Sequence, residues 1–108
     1  LSDRDVFVNV AGGVRLDEPA ADLAIAVAVT SSLLEIPAPG DVAVFGEIGL
    51  AGELRAVNFA RARASEAAKF GFARCIVPKG CAAELEESGA DVLSVGRIGQ
   101  ALDLALER

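Results

Sequence analysis

The chain has 108 residues, a net charge of −6 and 53% hydrophobic residues, enough apolar content for one real core and too much for disorder. It has no His, Trp, Tyr or Met, which excludes His-based triads, His proton shuttles and most zinc sites. Cys75 and Cys81 form neither a disulfide framework nor a Cys-x-x-Cys pair, so a reducing cytoplasm is the expected compartment. The longest apolar run, residues 23–29, is far short of a membrane span, and no secretory signal is visible.

Taken in chain order, residues 5–11 alternate with period two, apolar at Val6, Val8 and Val10, and predict a half-buried strand. Gly12-Gly13 turn it, and residues 14–16 continue it. Asp17 or Glu18 is placed to cap a helix whose first turn holds Pro19, where a missing N–H costs nothing. That helix runs to about Leu34. It is apolar nearly all round, which predicts a central, buried element. Pro37 to Asp41 is a loop, and residues 42–45 are an interior strand.

Gly46, Gly49 and Gly52 punctuate a turn, and residues 53–57 pair back as a short strand. These glycines lack the Lys-Ser/Thr of a phosphate loop and the Gly-x-Gly-x-x-Gly of a dinucleotide site. Asn58 is the expected N-cap of a helix over 59–70, with Ala60, Ala64, Ala67 and Ala68 packed inward and Arg61, Ser65 and Lys69 on another face. Gly71 ends it. Residues 74–77 form a strand with Cys75 as a small core residue, 82–88 a short acidic helix, 91–95 the last strand and 98–106 the terminal helix. The order β-α-β-β-α-β-α-β-α predicts an α/β (α+β) domain, a sheet and helices in two layers, with residues 1–108 as one domain.

Charge is unevenly spread. Between Arg55 and Lys79 six basic residues meet one acid, a local +5 that leaves −11 for the remainder. Such a segment suits either an anionic ligand or the acidic surface of a neighbouring subunit. Glu47 and Glu53 lack an evident second catalytic group, and Ser31 and Ser32 lack a base.

The run Asp17-Glu-Pro-Ala-Ala-Asp22 and the block Gly46-Glu-Ile-Gly-Leu-Ala-Gly-Glu53, followed by a helix carrying Arg61, resemble the catalytic domain of the Lon family of Ser–Lys proteases. The family's nucleophilic serine falls on Ala20. By spacing from the Gly-Glu-Ile block, its lysine base falls on Arg61. Alanine has no attacking oxygen, and a guanidinium stays protonated and cannot serve as a base.

A wider resemblance, over residues 5–107, is to the bacterial RadA (Sms) recombination proteins, which end in a Lon-like domain. It rests on Asp5-Val-Phe-Val-Asn-Val-Ala-Gly-Gly-Val-Arg15, Glu18-Pro-Ala-Ala-Asp-Leu-Ala24, Ser31-Ser32, Val44 to Glu53, Glu66-Ala-Ala-Lys-Phe-Gly-Phe72 and Ile76-Val-Pro78. Ala56-Val57-Asn58 departs from the Pro-Val-Pro common in that family.

The resemblance implies a non-proteolytic scaffold domain, part of a longer protein whose zinc finger and RecA-like ATPase are absent here. ATP, Mg and Zn are therefore expected in those other domains, with no cofactor or metal in this one. It also implies self-association into a ring, a hexamer in the full-length protein, and DNA as a partner in branch migration. The candidate DNA-binding residues are Arg15, Arg55, Arg61 and Arg63. No membrane partner is expected. The competing expectation is a Ser–Lys peptidase, degenerate or using an unusual nucleophile such as Ser31.

Overall fold

The computed structural model describes residues 19–38, 40–85 and 91–107. The strand expected over 5–16, the caps Asp17 and Glu18, Arg15 and the end of the expected acidic helix lie outside the described residues.

Pro19–Ala21 form a 3-10 turn that leads into helix α1, Asp22–Leu34. Three strands follow, β1 (Val42–Val44), β2 (Glu47–Ile48) and β3 (Leu54–Arg55). Helix α2 spans Ala60–Lys69, strand β4 Arg74–Pro78, strand β5 Asp91–Val95 and helix α3 Ile98–Ala105. The architecture is α/β, as expected. Strands β1, β4 and β5 make a parallel sheet with β4 in the centre, in the register Ala43–Cys75–Val92. All three residues of β1 are buried, and so are Cys75 to Pro78 of β4, which suits strands covered on both faces. Strands β2 and β3 form a separate antiparallel hairpin, with Glu47 opposite Arg55 and Ile48 opposite Leu54.

The core gathers Leu23 and Val27 of α1, Val42, Val44 and Phe45, Ile76 and Val77, and the alanines of α2 and α3. Helix α2 buries Ala60, Ala64 and Ala67, whose methyl groups let its backbone approach β4 closely. Its C-terminus closes as a Schellman motif. Gly71 at φ +92 donates to the Ala68 carbonyl (3.0 Å) and Phe72 to that of Ala67 (3.1 Å), satisfying carbonyls that the helix leaves open.

Five local expectations are corrected. Ala68 is exposed, because it stands 100° from Ala67 on the helix wheel and points away from the sheet. The residue preceding α2 is Phe59 in the left-handed region (φ 62), not an Asn58 side-chain cap. Helix α1 is not buried all round. Its first half is buried at Leu23, Ala24 and Val27, whereas Val29, Leu33 and Leu34 reach solvent near its C-terminus. The hairpin has its own first strand, Glu47–Ile48, separated from the end of β1 at Val44 by Phe45 and Gly46. Within the described residues, the expected acidic helix over 82–88 shows one 3-10 turn, Ala83–Leu85, preceded by another at Lys79–Cys81.

Candidate functional site

The site is built where the start of α1 meets the hairpin. The Ala20 carbonyl accepts the Gly46 N–H (2.9 Å), and the Gly46 carbonyl accepts the Leu23 N–H (3.0 Å). Two residues beyond Ala20, Asp22 accepts the Ile48 N–H through Oδ2 (3.1 Å), binding the helix to β2. Ala20 itself is fully buried. Its side chain is a methyl group against the core, with no polar atom to present.

Arg61 is directed elsewhere. Its N–H donates to Glu84 Oε2 (3.1 Å) and its Nε to the Glu84 carbonyl (3.4 Å), so the start of α2 is tied to the second 3-10 turn. The residue is exposed. The two positions on which the Lon resemblance places a Ser–Lys dyad thus hold a buried methyl group, which has no attacking oxygen, and an exposed guanidinium, which is no base.

The other nucleophile considered, Ser31, is fully buried, and its Oγ donates a short hydrogen bond to the Ile36 carbonyl. That bond belongs to the end of α1. Glu35 at φ 55 donates to Ser32 and Ile36 donates to Ser31, another Schellman closure.

Glu47 and Glu53, weighed as an acid/base pair, instead flank Arg55 at 3.5 Å each. The Glu53 carboxyl lies below the ordinary carboxylate range. Its own backbone N–H and that of Ala51 favour the ionised form, and Arg55 adds to the effect.

The remaining sequence-derived candidates disperse. Arg55 sits on the hairpin between two acids. Arg63 turns its Nε back to the Asn58 carbonyl (2.9 Å). Arg61 and Arg63 stand two residues apart on α2 and therefore point about 200° apart around its axis. Arg74, counted in the basic stretch, bridges Asp41 and Glu107 at 3.4 and 3.5 Å. Each of the described arginines of the positive segment thus has a local acceptor. Phe59 and Phe70 bracket α2 and are 73% and 65% exposed. Among the described residues, no group of three or more His, Cys, Asp or Glu could hold a metal ion, and no helix is long and apolar enough to cross a membrane.

Sequence reasoning missed Asp22, Glu84 and Arg97. Asp22 stood at the end of the Asp-Glu-Pro-Ala-Ala-Asp run, so a signal was present. Nothing near Glu84 or Arg97 marked them, because their partners lie 23 and 46 residues away.

A family profile described as "Subunit ChlI of Mg-chelatase" matches residues 1–81. The chain is 49% identical over 102 residues to the DNA repair protein RadA of Aquifex aeolicus (strain VF5), covering 94% of this chain and 22% of that protein. It is 50% identical over 105 residues to RadA of Pseudomonas aeruginosa, covering 97% and 23%, and 47% identical over 104 residues to RadA of Escherichia coli (strain K12), covering 96% and 23%. The chain belongs to the Lon-like domain family found in RadA proteins. It spans less than a quarter of the length of the curated relatives it matches, and it corresponds to their C-terminal part. The RadA match accounts for nearly the whole chain, and the ChlI family is itself a Lon-like domain family.

Proposed function

We propose that this chain is a non-proteolytic Lon-like scaffold domain of a RadA-type DNA repair protein, supporting assembly of subunits into a ring and holding DNA during branch migration. The observation that carries the reading is the pair Ala20 and Arg61, a kept scaffold without attacking oxygen or proton acceptor. ATP, magnesium and zinc chemistry belongs, on this reading, to other domains of such a protein, acting in the cytoplasm. Arg15, Arg55, Arg61 and Arg63 are the proposed DNA contacts. Arginines so placed hold phosphates without reading bases. Since acids flank each described arginine or its helix, several copies side by side are needed to bind DNA well.

The test is DNA affinity against salt in a RadA protein carrying this domain. Arg55→Ala and Arg63→Ala should each lower the slope of log affinity against log salt by about one unit for every copy of the lost contact in the bound complex. Arg61→Ala should also remove the Nε bond to the Glu84 carbonyl while keeping the main-chain N–H bond to the Glu84 carboxylate, so its effect includes a small change in local stability. If the Arg55 and Arg63 variants leave both affinity and slope unchanged, the basic segment contacts subunits, not DNA.

The peptidase alternative makes a separate demand. Incubated with casein, the chain should yield no fragments, and Ala20→Ser should not react with a serine-directed phosphonate. The new hydroxyl would lie in the core with no base, as Arg61 cannot accept its proton. Phosphonate labelling of the Ala20→Ser protein at residue 20 would reverse this conclusion.

A further inference from the structure

We draw no further inference here: the strongest candidate, the exposed aromatic surface at the start of α2 where Phe59 stands in the left-handed region, carries none, because the Glu84 carboxylate meets the Arg61 N–H beside it and nothing in the structure shows what covers the ring.

Discussion

Val27→Asp should unfold the domain at room temperature. Val27 is 1% exposed and belongs to the apolar core with Leu23, Ala24 and the β1 strand. An unpaired charge in such a layer costs about 4–5 kcal/mol or more, comparable to the whole stability of a small domain. Ile25, two residues away, is only partly buried and should tolerate the same change better. Leu33→Asp, exposed on the same helix, should shift the thermal midpoint little. Thermal unfolding of the three variants checks the ordering. Equal midpoints for Val27→Asp and Leu33→Asp would mean that α1 does not pack on its N-terminal half.

Raising the pH from 9 to 12 should remove about 3 kcal/mol of stability through Cys75 alone. Burial in the β4 strand pushes its thiol up from 9.0 to about 12. Below pH 9 the thiol is neutral in both folded and unfolded chains and contributes no pH dependence. Between 9 and 12 the unfolded chain releases this proton and the folded chain keeps it, so stability falls with rising pH across that window. Cys75→Ala should cost stability at neutral pH, through the lost packing, yet flatten the alkaline loss. Denaturant melts of both proteins at pH 8 and pH 11 measure the difference. An identical alkaline slope in the two would place the titrating group elsewhere.

The elements visible in the sequence were those whose signals are local. The apolar runs of β1 and β4 need cover on both faces whatever lies beside them, and Gly71 needs only its own helix to end. The α2 start failed for the opposite reason. Asn58 has the right side chain for a cap, but Arg63 reaches back to the Asn58 carbonyl and Glu84 takes the Arg61 N–H, so the helix opens on Phe59. Both partners are set by tertiary placement, which periodicity does not register. The α1 stripe misled for a related reason: hydrophobicity on all sides predicts burial only where enough neighbouring structure exists to provide it. At the candidate site, it was the resemblance to Lon domains that singled out Ala20 and Arg61. Their separate surroundings, one within the core and the other beside Glu84, were not legible in the sequence.

The two reciprocal hydrogen bonds between Gly46 and the Ala20–Leu23 segment bear on how such a domain changes over generations. They are made by main-chain atoms, which every residue except proline supplies in full. The fold asks of residue 20 only that its side chain be small. A serine hydroxyl or an alanine methyl group satisfies that demand, so exchanging one for the other leaves the hydrogen bonds between α1 and the hairpin untouched. The joint between helix and hairpin is thereby indifferent to whether residue 20 carries a reactive group.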